Sequence, residues 1–206
     1  MAGEYPPTRF ALLRHAETEW NQNRRIQGQN NSPLTSEGEN QAKQWGQLLK
    51  PYRWNRIIAS DAARALETTA LVNIALKVPV IRDSRLREQD WGQWTGKTVA
   101  QLKEEAPQFL ADMEAAGWQF CPPGGEDRHA VWKRSQGALK DAHEKWRGEK
   151  ILLITHEGVI KCLIYRLCGR KFLPTEPPIL VSNHLHWLAH DREGLRIEEI
   201  NALELP

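Results

Sequence analysis

Cysteine is scarce in this 206-residue chain. Cys121, Cys162 and Cys168 are odd in number and show no Cys-x-x-Cys spacing, which argues against a disulfide framework and a thiolate zinc site. They read as reduced thiols, mostly packing groups. Long apolar runs are missing as well. Stretches such as Ile151 to Ile154 fall far short of the roughly 20 residues that a membrane-spanning helix needs. The opening Met1 to Arg9 has neither the basic region nor the apolar stretch of a secretory signal, so a cytoplasmic protein is expected. Neither sign of charge prevails: 28 basic and 26 acidic side chains are mixed along the chain and leave a net charge of +2. Such a field gives no reason to expect a nucleic-acid or membrane partner, and any preference for anions must be local. Internal repeats are absent too. The nine tryptophans keep no fixed period, which excludes a solenoid or propeller built on them.

What is present suffices for one sizeable core: 40% of the residues are hydrophobic, and no linker or low-complexity stretch divides the chain, so 1–206 reads as a single domain. Short apolar runs at Arg9 to Leu13, Arg56 to Ala59 and Lys150 to Ile154 are each followed by a polar turn and a helical pattern, the alternation expected of a parallel sheet covered on both faces. A hydroxyl at Thr35 or Ser36 can cap a first helix, whose apolar positions Ala42, Trp45, Leu48 and Leu49 run until Pro51 stops it. A second helix is predicted over Ala62 to Ala75, and Val80 to Arg82 as a further strand. Thr98 to Ala116 and Arg128 to Arg147 read as helices separated by Pro122-Pro123-Gly124-Gly125, forming a roof over the carboxyl edge of the sheet. Glu157 to Cys168 reads as a helix ended by Gly169, and Asn183 to Ala189 with Leu195 to Ile200 as a closing hairpin around Asp191 to Gly194. The fold class is therefore α/β, three-layer, with a mostly parallel sheet.

Two of the predicted parallel strands run into histidine, one at Arg14-His15 and the other at Thr155-His156. A third ends in Ser60-Asp61 and sets Arg64 in the first turn of the next helix. Ligands of open α/β sheets bind at that edge, where helix amino ends add unpaired backbone donors. Two histidines and two arginines around one anion suit phosphoryl transfer, which asks mainly for positioning and for stabilisation of charge on the equatorial oxygens. A neutral imidazole can also act as nucleophile and split one hard displacement into two easier ones.

Other side chains have a blander reading. His184 and His186 share one face of a strand, a spacing metal sites sometimes use, but no third ligand accompanies them and no metal is expected. Trp91, Trp94 and Trp118 suit roof packing better than stacking on a substrate. Arg82, Arg85 and Arg87, like Arg24, are by default solvated charges.

The blocks Arg14-His15-Ala16-Glu17-Thr18-Glu19-Trp20-Asn21, Arg25-Ile26-Gln27-Gly28 and Ser32-Pro33-Leu34-Thr35 resemble the histidine phosphatase superfamily, also called phosphoglycerate mutase-like. Ser60-Asp61 with Arg64, Leu86-Arg87-Glu88 with Trp91-Gly92, and Thr155-His156 continue the resemblance in order over nearly the whole chain. It implies a phosphatase acting on a small phosphorylated metabolite without a cofactor. His15 would be the nucleophile, Arg14, Arg64 and His156 would hold the phosphoryl oxygens, and Glu88 would be the proton donor. Asn21, Gln27 and Gly28 match family positions that line the phosphate pocket. Taken alone, Glu88 reads as an ion-pair partner of Arg85 or Arg87. Screening by Trp91 and Trp94 would instead raise its pKa and suit it to proton donation.

Ala16 departs from the glycine usual after the histidine, and Asn31 from a common aspartate. Glu157 puts a carboxylate beside His156, where it either repels substrate or turns outward to pair with a basic group. The alternatives are a phosphoglycerate mutase and a non-catalytic binder of phosphorylated ligands. Mutases of this family carry an arginine pair in an insertion beyond the catalytic glutamate; here that region has Lys97, Lys103 and Lys133-Arg134. Neither the substrate nor the oligomeric state is legible.

Overall fold

A computed structural model describes residues 6–206; the first five residues of the Met1 to Arg9 segment lie outside them. The elements in chain order are β1 (Thr8–Arg14), α1 (Glu19–Gln22), α2 (Ser36–Leu49), β2 (Arg56–Ala59), α3 (Ala63–Leu76), β3 (Val80–Arg82), α4 (Val99–Glu105), α5 (Pro107–Ala115), α6 (Arg128–Lys145), β4 (Lys150–Thr155), α7 (Glu157–Leu167), β5 (His184–Asp191) and β6 (Gly194–Glu204). Six strands form one sheet in the order β3-β2-β4-β1-β5-β6. β1 to β4 run parallel, while β5 lies antiparallel to β1 and to β6.

The central strands are apolar at nearly every position because both of their faces are covered. Phe10, Leu12, Ile151 and Leu153 point to the side packed by α6 and α7. Ala11, Leu13, Leu152 and Ile154 point to the side packed by α2 and α3. Full burial of each large aliphatic chain contributes about 1.5–3 kcal/mol, so these two clusters carry most of the fold's apolar stabilisation.

Thr35 Oγ1 accepts the Gly38 N–H at 2.9 Å and starts α2 as predicted. Ala42, Trp45 and Leu49 face the core, but Leu48 is exposed, since a residue one before Leu49 is turned about 100° away. The segment expected as one helix over Thr98 to Ala116 is two, α4 and α5. Ala106 breaks them at φ −151°, ψ 62°, and Pro107 occupies the first turn of the second. The break follows from chemistry: proline lacks the donor a continuous helix needs there, and it disfavours helical backbone in the residue before it. α6 ends two residues earlier than expected, and the hairpin strands run on to Asp191 and Glu204.

A third apolar cluster of Trp94, Leu102, Leu110 and Phe120, with Ile26 and Trp91 against it, gives the roof segment its own core. No helix among the described residues is long and apolar enough to cross a membrane.

Candidate active site

The register of the sheet brings the site together. Arg14 lies opposite Thr155 in the β1–β4 ladder, and the His15 N–H donates to the Thr155 carbonyl at 2.9 Å. The Ser60 N–H donates to the Ile154 carbonyl at 2.9 Å, so β2 ends beside them. His15, Ser60 and His156 therefore leave the sheet side by side, and the two imidazole rings sit edge to face with centroids 5.2 Å apart.

His15 is buried, and its Nδ1 lies 2.8 Å from the Ala16 carbonyl. A carbonyl only accepts, so Nδ1 carries the proton and Nε2 keeps a lone pair. Burial, then Arg14 and Arg64, hold the His15 pKa well below the usual imidazole value. The ring is thus neutral, and its unprotonated Nε2, which accepts from Arg64 Nε, is the candidate nucleophilic atom. Ala16 has no positive φ, and its N–H donates to Thr68 Oγ1 at 3.1 Å; glycine's freedom is not needed there.

Arg64, fully buried near the amino end of α3, is the hub. Its Nε donates to His15 Nε2 at 3.1 Å, its Nη1 to the Asn30 carbonyl at 2.7 Å, and its Nη2 to the Gly28 carbonyl at 2.8 Å and His156 Nδ1 at 3.1 Å. An arginine only donates, so His156 Nδ1 accepts and its Nε2 donates to Ser60 Oγ at 2.8 Å. Burial is the main reason His156 is also held well below the usual imidazole value. Burial likewise brings Arg64 down to about 10, with the nearby Glu88 carboxylate offsetting only part of the fall.

Arg14 is partly exposed, and its Nη1 meets Glu157 Oε2 at 3.1 Å. Glu157 also takes Lys161 Nζ at 2.5 Å. It has not turned away from the site: it lines the cleft, and its carboxylate is neutralised there by two cations. Burial by itself would raise the Glu157 pKa, but Arg14 and Lys161 outweigh it and hold the carboxyl below the usual range.

Glu88 faces the same cleft. It forms no ion pair with its neighbours: Arg87 grips Asp61 with two bonds of 2.6 Å, and Arg85 pairs with Asp83 and Asp141. The Glu88 carboxylate instead accepts the Gln89 N–H at 2.8 Å and the Gly158 N–H at 3.2 Å. Burial raises its pKa, and those two backbone bonds offset only part of the rise. Gly158 is required by this contact, since a Cβ there would lie 2.2 Å from Glu88 Oε1. Nothing in the sequence motifs pointed to it.

Asn21 lines the cleft while its Oδ1 closes a capping box with Thr18, and Gln27 is buried with its Nε2 on Thr18 Oγ1 at 2.8 Å. Gly28 lines the cleft and supplies a carbonyl to Arg64. Asn31 accepts the Ala63 N–H at 3.0 Å and so caps α3, whose own N-cap residue, Ala62, provides no side-chain bond. The cleft holds about 350 Å³, and Trp91, Arg128, Lys161, Cys162 and Phe172 also line it. Trp94 lies beneath in the roof core, and Trp118 donates to the Arg170 carbonyl at 2.7 Å. His186 Nδ1 accepts the Asn201 N–H at 3.0 Å, and no group of three metal-ligating side chains occurs among the described residues.

The family described as Histidine phosphatase superfamily (branch 1) matches residues 10–203. A Salmonella choleraesuis protein named "Probable phosphoglycerate mutase GpmB" is 35% identical over 158 residues, which are 77% of this chain and 74% of that one. Among solved structures, Bacillus stearothermophilus YhfR superposes with a TM-score of 0.86 at 30% identity, covering 96% of this chain and 98% of that chain. A mycobacterial glucosyl-3-phosphoglycerate phosphatase complexed with VO3 superposes with a TM-score of 0.82 at 27% identity, covering 97% and 100%.

Proposed function

The chain belongs to the histidine phosphatase superfamily, and from that premise we propose that it hydrolyses a small phosphate monoester through a phosphohistidine on His15. The observation that carries this reading is the pairing of a neutral His15, its Nε2 unprotonated beside Arg64, with a Glu88 whose pKa is raised within the same cleft. In the first step His15 Nε2 attacks phosphorus, the ester P–O bond breaks, and protonated Glu88 gives its proton to the departing oxygen. In the second step water attacks the phosphoryl group, ionised Glu88 takes the proton from that water, and the P–N bond breaks to return neutral His15. Arg14, Arg64 and His156 stabilise the equatorial oxygens in both steps.

The positive charge comes from protein side chains, so activity should survive exhaustive chelation. We read residues 1–206 as one catalytic domain that acts in the cytosol on a small phosphorylated metabolite.

The mutase reading draws on the Salmonella relative's name. Against it, Arg134 of the Lys133-Arg134 pair binds Glu126 and the carbonyls of Arg85 and Glu88, and does not line the cleft. The deciding experiment incubates the protein with a panel of phosphorylated metabolites and measures both free phosphate and isomerised product. Phosphate release with an acid-labile phosphoenzyme supports the phosphatase. Isomerised product without net release would establish the mutase, and neither product would leave a binding protein.

A further inference from the structure

Two guanidinium groups are set into the cleft wall without a carboxylate partner among the described residues. One is Arg64, at the proposed phosphoryl position. The other is Arg128, the first residue of α6. The remaining cleft cations differ: Arg14 and Lys161 share the Glu157 carboxylate, and Arg25 is exposed on the rim with its Nη1 on the Gly96 carbonyl.

Arg128 is held in a clamp. Its guanidinium lies over the rings of Phe120 at 4.2 Å and Phe172 at 4.4 Å, and its Nη1 donates to the Gly117 carbonyl at 2.8 Å. Nε and Nη2 bond to no described residue, neither is fully sealed from solvent, and the residue lines the cleft. That leaves the forked edge, which matches the two oxygens of a carboxylate or phosphate, without a protein acceptor.

Several unfavourable features converge to hold this clamp. A cation on the first residue of an 18-residue helix faces the positive end of the helix dipole. Burial brings the guanidinium down to about 10, which still leaves it protonated at neutral pH. Phe172 sits at φ +62°, a region bulky side chains rarely adopt. Glu176 fixes it there by accepting the Lys171 and Leu173 N–H groups at 3.0 and 3.1 Å. Gly117, at φ +60°, allows the close approach, since a Cβ there would lie 2.4 Å from the Lys171 carbonyl oxygen. A cation–π staple alone needs neither the open edge nor a place in the cleft wall.

We propose that Arg128 is a second anion site, and that the substrate is a short phosphate monoester carrying a further anionic group, a carboxylate or a second phosphate, away from the transferred phosphoryl group. The proposal rests on the phosphomonoesterase reading of the cleft. A cleft of about 350 Å³ has room for a small ester of this kind.

The test uses three ligands that differ at one end only: 3-(phosphonooxy)propanoate, propane-1,3-diyl bisphosphate and 3-hydroxypropyl phosphate. Their dissociation constants are measured by calorimetry on the His15→Ala protein, so binding is read without turnover. A charge-assisted fork should make at least one doubly anionic ligand about 10- to 100-fold tighter than the hydroxypropyl ester, and the tighter of the two identifies the group. In Arg128→Met on that background the ratio should fall to about 1, and in Arg128→Lys to an intermediate value. Equal affinities in the protein with Arg128 intact, or no binding of any of the three, overturn the proposal whether or not the variants fold. So does a ratio that persists in a folded Arg128→Met protein. Phosphate release from the same ligands by the protein with His15 intact is scored separately, so failure of the phosphatase reading is distinguishable from failure of the anion site.

Discussion

The floor and the roof of the cleft are built by different means. Arg14, His15, Ser60, Thr155 and His156 occupy strand ends, and Arg64 the first turn of α3, so backbone pairing between parallel strands largely fixes where they meet. Glu88, Trp91 and Phe172 come from turns and loops and Arg128 from the start of α6, and packing around Phe120 with a few backbone hydrogen bonds holds them. A ladder register cannot slip by one residue without turning every apolar side chain to the wrong face. Loop packing can change piece by piece. The floor is thus suited to shared phosphoryl chemistry and the roof to substrate choice, and each variant below strikes one of them.

Breaking the floor should have the largest effect. His15→Ala should lower phosphatase activity by at least about 1,000-fold and abolish trapping of acid-labile phosphate, measured by labelling followed by acid and base quenching. A protein that still labels has another nucleophile. Glu88→Gln strikes the roof's one proposed chemical contribution and should cost about 100- to 10,000-fold on an alkyl phosphate. The loss should be much smaller on p-nitrophenyl phosphate, whose leaving group needs little protonation; equal losses on both would deny Glu88 its role as acid.

Gly158→Ala tests the seam between floor and roof. It must displace the Glu88 carboxylate, because the added Cβ would lie 2.2 Å from Oε1. Steady-state kinetics should show kcat falling by about 10- to 100-fold with little change in KM.

The pH dependence separates the regions by sign. Glu88 is raised above the usual carboxyl value, so kcat/KM should fall on the alkaline side as it ionises. His15 is lowered well below 6.5, so the nucleophile stays neutral far into acid. Stability runs the other way. His15, His156 and His186 are all lowered by burial, His186 to about 4, so their contribution is complete above about pH 6.5 and is lost as pH falls. Thermal melting should therefore decline on acidification while kcat/KM still holds; a melting temperature unchanged down to pH 4 would contradict the burial of the three rings.

The smallest effect belongs to Glu157→Gln. With Arg14 and Lys161 already neutralising the carboxylate, KM should change by less than about threefold, and melting at neutral pH should reveal a loss of about 0.2–1 kcal/mol. Because the Glu157 pKa is lowered, that difference should vanish as pH falls through the carboxylate range. A large fall in KM without loss of stability would mean that the carboxylate repels substrate after all.

Short apolar runs alternating with helical patterns were enough to read the α/β class, and the strand-terminal Arg14-His15, Ser60 and Thr155-His156, with Arg64 in the following helix, were legible because strand ends are marked by abrupt changes from apolar to polar residues. Helix caps such as Thr35 were legible for the same local reason. The break at Ala106 was missed although Pro107 signals it, because apolar spacing on both sides of the break obscured the backbone rule. Tertiary structure alone decided that Arg87 pairs with Asp61 and leaves Glu88 free, that Gly158 gives the Glu88 carboxylate room, and that Phe172 meets Phe120 across Arg128. In each case the partners lie 26 or more residues apart, so no local propensity or period links them. What chooses between two competing ion pairs, or places a ring on a guanidinium, is the burial and distance that exist only once the sheet has brought those segments together.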